Sequence, residues 1–338
     1  MSLLSLSKRE TIPTSCYSFV GYSADGRFLV NDIGEKIWKC SLDDTGHVTS
    51  VNASKKEVIM CAFKLIPDCK TLAACEQSSA YRAKFRIMLV DLENLNNPPV
   101  ILPSEDTVYN YRFVSLSFSS DGLYLAGVAN CNDVVVWNLH EKKTMCHLRG
   151  VDDATFQCVV FSPDGIHLAA ITRTFAYIWN MKLNNGHGEL VRTLDHNKDY
   201  SYLNYMSIAY SSNGKSLATA SSRVIVWDVS SGKLDIVVTY SDSVNQIMWS
   251  PDGALFICQH IYSIAIYSTC NWIVLAYIED VAPSCLYANN ISFHPNNKNL
   301  AISNNVGDID IYIYCKWSDK NNVFFSDKIR SALFYFTC

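Results

Sequence analysis

Cys158-Val159-Val160-Phe161, Ser162-Pro163-Asp164-Gly165, His167-Leu168-Ala169-Ala170-Ile171 and Ala176-Tyr177-Ile178-Trp179 follow one another along the chain. Two apolar runs flank a four-residue turn, and a third run follows. Pro163 presets the φ of the turn, Asp164 can accept from nearby backbone N–H groups, and Gly165 takes the positive φ that a tight hairpin needs. All three runs are close to continuously apolar, so these strands should be covered on both faces.

The same pattern recurs. Asp25-Gly26, Asp68-Cys69, Asp121-Gly122, Asp164-Gly165, Asn213-Gly214, Asp252-Gly253 and Asn296-Asn297 mark seven turns, spaced 39 to 53 residues apart. A period of that length with three or four strands per repeat predicts the blades of a propeller. The turns lead to Ile37-Trp38, Val90-Asp91, Val136-Trp137-Asn138, Ile178-Trp179-Asn180, Val226-Trp227-Asp228, Ile266-Tyr267-Ser268 and Ile311-Tyr312.

Phe161-Ser162-Pro163-Asp164-Gly165 followed by Leu168-Ala169 and Ile178-Trp179-Asn180 resembles a WD repeat, and the other copies extend the resemblance over nearly the whole chain. It implies an all-β, seven-bladed propeller in one closed domain over residues 1–315. The blade cores fall near 18–40, 59–92, 114–139, 156–181, 205–229, 244–269 and 288–314, with 316–338 as a C-terminal appendage. In similar propellers the N-terminal segment supplies the outer strand of the last blade, which suits residues 1–10; Val323-Phe324-Phe325 is the competing donor. The Gly-His pair and turn Asp that lock blades in this family are mostly missing, with Cys131 in the place of that Asp in the third repeat and His196 the best match for the His.

The composition excludes several function classes. With a net charge of −4, only 18% charged residues and no cluster of five Lys/Arg, a nucleic-acid surface is not expected. Met1 to Lys8 lacks the order of a secretory signal, and the run Trp272 to Ile278 is too short for a membrane helix. The 13 cysteines fall mostly within expected strands, where they read as small hydrophobes in a reducing compartment, cytoplasmic and/or nuclear.

Catalytic and metal motifs are lacking as well. Ser212-Asn213-Gly214-Lys215-Ser216 ends like a phosphate loop but has Ala209 in place of its first Gly. Gly21-Tyr22-Ser23-Ala24-Asp25 begins like a nucleophile elbow but has Asp for its second Gly. Both read as hairpin turns. There is no Cys-x-x-Cys, and the eight histidines are scattered, so no metal, cofactor or catalytic residue is assigned.

By the resemblance, the segment leading into each first strand and the loop between second and third strands face the top of the ring. Sorting side chains by that rule collects Tyr109, Tyr111 and Arg112 in the third blade and Tyr200 and Tyr202 in the fifth, all before first strands. The loops add Arg173, Phe175, Arg223, His260 and Tyr262. Tyr and Arg give contact area at low entropy cost and recur at binding hot spots. A protein or peptide segment carrying acidic residues, bound between blades three and six, is the expected partner. Two other readings are an architectural subunit of a stable complex and a substrate receptor of a cullin-type ubiquitin ligase. The latter's usual Trp-Asp-x-Arg is absent, as in Trp227-Asp228-Val229-Ser230.

Overall fold

A computed structural model describes residues 4–12, 20–33, 36–42, 48–53, 60–65, 70–77, 85–102, 114–128, 132–151, 155–182, 187–195, 207–220, 223–239, 244–279, 281, 291–303 and 309–316. Its turns have the geometry that their residues demand. Gly26, Gly122, Gly165, Gly214 and Gly253 take φ between 67° and 73°, and Asn297 takes 54° in the seventh turn. In each, the N–H of this residue donates to the carbonyl three residues before it, as Gly165 does to Ser162 at 2.9 Å.

Twenty-eight strands lie among the described residues. They are β1 Leu4–Ile12, β2 Val20–Tyr22, β3 Phe28–Ile33, β4 Lys36–Leu42, β5 Val48–Ala53, β6 Met60–Leu65, β7 Thr71–Gln77, β8 Phe85–Asp91, β9 Val100–Ile101 and β10 Ser115–Phe118. Next come β11 Tyr124–Val128, β12 Asp133–Asn138, β13 Lys143–Arg149, β14 Cys158–Phe161, β15 His167–Ile171, β16 Phe175–Asn180, β17 Glu189–Asp195, β18 Ser207–Tyr210 and β19 Ser216–Ala220. The last are β20 Arg223–Asp228, β21 Leu234–Thr239, β22 Gln246–Trp249, β23 Leu255–Gln259, β24 Ile264–Ser268, β25 Val274–Ile278, β26 Ile291–Phe293, β27 Asn299–Ser303 and β28 Ile309–Lys316.

These strands form seven antiparallel sheets of four. Six are consecutive, from β2-β3-β4-β5 to β22-β23-β24-β25, and the seventh runs β26-β27-β28-β1. The chain is a seven-bladed β-propeller whose last blade takes its outer strand from the other end of the sequence. Leu4 pairs with Lys316 and Ile12 with Ile309. Residues 323–325, the competing donor, lie outside the described residues.

Strand alternation explains why blades stack. In β15, Leu168 and Ala170 enter a core shared with the third blade, while Ala169 and Ile171 enter one shared with the fifth. Seven such cores fill the seven gaps between neighbouring blades, ending with Val20, Tyr22 and Leu29 of the first against Ala301, Ile309 and Ile311 of the seventh. The first-strand aromatic and the third-strand Trp share a gap, as Phe161 and Trp179 do, so bulky side chains meet smaller ones across it.

Polar contacts fix register between blades. Along the innermost strands, Phe161 N–H donates to Ser117 Oγ at 2.9 Å, Ile247 N–H to Ser207 Oγ at 3.1 Å and Tyr22 N–H to Ser292 Oγ at 3.0 Å. The last of these crosses the closure seam. At the rim, Lys39 Nζ donates to the Leu92 carbonyl at 2.9 Å and covers the Phe28 ring at 4.4 Å, joining the first two blades. In the fifth blade, Trp227 Nε1 donates to Thr219 Oγ1 at 3.0 Å.

Candidate functional site

Antiparallel pairing brings the start of each first strand beside the end of its second. Val114 N–H donates to the Val128 carbonyl, Gln157 N–H to Ile171 and Asn245 N–H to Gln259, at 2.8 to 2.9 Å. The loops between second and third strands therefore share one end of the ring with the segments that lead into the first strands. The Asp-Gly turns occupy the opposite end.

The fourth blade builds its loop on a buried threonine. Thr172 N–H donates to the Phe175 carbonyl at 2.8 Å, and Thr172 Oγ1 accepts from Phe175 N–H at 3.2 Å. A side-chain acceptor at this corner closes a two-residue turn and turns its tip outward. Arg173 at that tip is exposed, whereas Phe175 is half-buried beside the Tyr177 ring, at 6.1 Å. In the fifth blade Arg223 opens β20 opposite Thr239 and is half-buried.

The sixth blade repeats the corner with a different residue. His260 N–H donates to the Ser263 carbonyl at 2.8 Å, and His260 itself is only 9% exposed. Ile261 and Tyr262 form the tip, 43% and 63% exposed. Structure thus brings Arg173, Arg223 and Tyr262 to one end on successive blades, with His260 beneath its tip and Phe175 leaning into the core. Tyr109, Tyr111, Arg112, Tyr200 and Tyr202 lie outside the described residues.

Sequence reasoning missed the polar residues beneath that sixth-blade tip. Gln246 opens β22 opposite Gln259, the last residue of β23, and Asn245 adjoins them. Gln259 is fully buried. Two glutamines breaking otherwise apolar strands at matched positions are the signal that could have revealed them.

The described residues hold no group of three His, Cys, Asp or Glu that could bind a metal. Burial pushes the Cys40 and Cys146 thiols up to about 11, so neither presents a nucleophilic thiolate near neutral pH. No helix among these residues is long and apolar enough to cross a membrane. Comparison with protein-family models and with curated proteins finds no match to this chain.

Proposed function

We propose that this chain is a WD-repeat interaction scaffold, without catalytic activity, that receives an acidic peptide or protein segment on the end carrying Arg173, Arg223 and Tyr262. The observation that supports it best is that Arg173, Arg223 and Tyr262 stand at the same end of blades four, five and six, with Tyr262 63% exposed. An aromatic ring supplies contact area and the guanidinium forks supply charge-assisted bonds to carboxylates. The free cysteines accord with a reducing compartment, cytoplasm or nucleus, and no cofactor enters this reading.

The test is binding of an eight-residue Asp/Glu peptide to the parent protein and to the Arg112→Glu/Arg173→Glu/Arg223→Glu variant. Reversing three contributions of about 0.5–1 kcal/mol each should weaken binding at least about tenfold. Equal affinity for both proteins would defeat the proposal.

An architectural role is the second reading, supported by the rim. Leu234 and Val237 on the outer strand of blade five, with Tyr277 on that of blade six and Ile273 just before it, are 37% to 51% exposed. Under that reading, removal of residues 317–338 or Lys substitution of Leu234 and Tyr277 disperses a stable complex while top-end peptide binding is retained.

A further inference from the structure

The inference rests on the top-end reading and names a group the partner must carry. At the end of the second strand, opposite the first residue of the first, blades three, four and five place Val128, Ile171 and Ala220. Blade six places Gln259 there. Its side chain is 0% exposed, and among the described residues neither Nε2 nor Oε1 has a hydrogen-bond partner. A carboxamide removed from water with nothing in exchange opposes folding, and native chains rarely keep one without a use for it.

Its surroundings are polar in the same sense. Asn245, Gln246 and His260 stand where blade four has Gln157, Cys158 and Thr172. Together with Gln259 they lie at the inner, top corner of blade six, directly under the exposed Ile261-Tyr262 tip. The hairpin over them is closed by the His260 to Ser263 backbone bond.

A primary carboxamide presents a donor and an acceptor side by side. A second carboxamide satisfies both in one planar pair, whereas a carboxylate answers only the donor and an ammonium only the acceptor. We propose that the top of blade six is a carboxamide-binding site, taking an Asn or Gln side chain from the acidic segment that binds the same end.

Acetamide is the first probe, titrated into perdeuterated, 15N-labelled protein while the Gln259 side-chain amide and the backbone amides of residues 245–264 are followed. Saturable shifts confined to that region, absent in Gln259→Leu, are expected. Gln259→Leu should also leave the thermal midpoint unchanged or raise it by about 2 °C, because an amide without a partner is replaced by an apolar side chain. A fall in midpoint overturns the proposal, as do shifts that never saturate. A water cross-peak to the Gln259 amide with no response to acetamide means a buried water only, and overturns it too.

Two peptides separate this idea from the reading beneath it, an Asp/Glu octamer and the same octamer with one central Asn. At least tenfold tighter binding of the Asn peptide, lost in Gln259→Leu, is expected. Equal binding of both peptides overturns the carboxamide site and leaves the acidic-segment reading standing. Binding of neither overturns the acidic-segment reading, and the acetamide titration then decides the carboxamide site by itself.

Discussion

Ser23, Ser119, Ser162, Ser211 and Ser250 are buried two residues ahead of the acid or amide of five first hairpins. In the fourth blade the Ser162 hydroxyl donates to Asp164 Oδ1 at 2.5 Å and accepts from His167 N–H at 2.9 Å, while Ile166 N–H donates to the same carboxylate. This clasp ties the turn to both strands. Ser162→Ala leaves the His167 N–H without that acceptor and should cost about 2 kcal/mol, read as a lower urea midpoint at unchanged m value. The clasp also shapes the acid limb of stability. Burial raises the Asp25 pKa, but bonds from the Ser23 hydroxyl, the Arg27 N–H and the Arg27 guanidinium outweigh it and hold the carboxyl at about 2. An unfolded Asp titrates near about 3.9, so between these values the native state binds fewer protons. The contribution of Asp25 is therefore complete above about pH 4 and is lost as pH falls towards 2. Asp25→Asn should flatten the decline of the urea midpoint over that window, and an unaltered decline would remove Asp25 from the account. The acid and glycine of these turns were legible because their backbone needs are local. The serine stood in plain sight as Ser-x-Asp/Asn-Gly, yet its partner five residues on becomes visible only when the hairpin closes.

At the scale of the element, inner strands and outer strands differ in how much of them a sequence discloses. β15 and β19 are buried on both faces except at their first residue, which leaves an apolar run that is hard to miss. β13 has only Leu148 fully buried, with Lys143, His147 and Arg149 exposed, so its outer position hides it among loop-like residues. β9 is shorter still, two exposed residues beside a seven-residue β8. The outer strand of the seventh blade is recruited from a distance, and its chemistry shows why it must be. Asp310 in β28 has a side chain only 8% exposed, and its carboxylate takes Lys8 Nζ at 2.7 Å and Thr11 Oγ1 at 2.8 Å from β1. Deleting residues 1–12 removes both partners from a buried charge and uncovers the edge of β28. The same deletion lets water reach that carboxylate, so the larger loss is the strand pairing itself, and a bare strand edge invites association between chains. The truncated chain should scatter light and unfold at lower urea, and a synthetic peptide of residues 4–12 should reverse both effects. A truncated protein as stable as the parent, and scattering no more light, would mean that β1 contributes little to closure.

For the whole molecule, closing the ring is the step that no single repeat can specify, and the seam between blades seven and one has its own device. Where five turns place the clasp serine, the seventh has His294. Its Nδ1 accepts from Asn296 N–H at 3.1 Å within its own turn, leaving Nε2–H to donate to the Gly26 carbonyl of the first blade at 2.9 Å. The ring also meets Tyr22 edge-on, with centroids 4.8 Å apart. In the sequence His294 is one of eight scattered histidines, because the residue it serves is 268 positions away. Gly26 and Gly214 occupy equivalent turns at φ of 73° and 70°, so alanine strains both backbones alike. They differ in what a Cβ would meet. At Gly214 it would rest 3.6 Å from Pro163 Cδ, an ordinary contact, whereas at Gly26 it would lie 2.3 Å from His294 Cε1. Gly26→Ala should therefore cost about 1–3 kcal/mol more than Gly214→Ala, the usual range for forced overpacking. Combining Gly26→Ala with His294→Ala should recover most of that difference, giving a coupling energy well above the additivity limit of about 0.5 kcal/mol. Strictly additive losses in the double variant would show that the seam does not close through this contact, and closure would then rest on β1 and the Val20, Ala301 and Ile311 core.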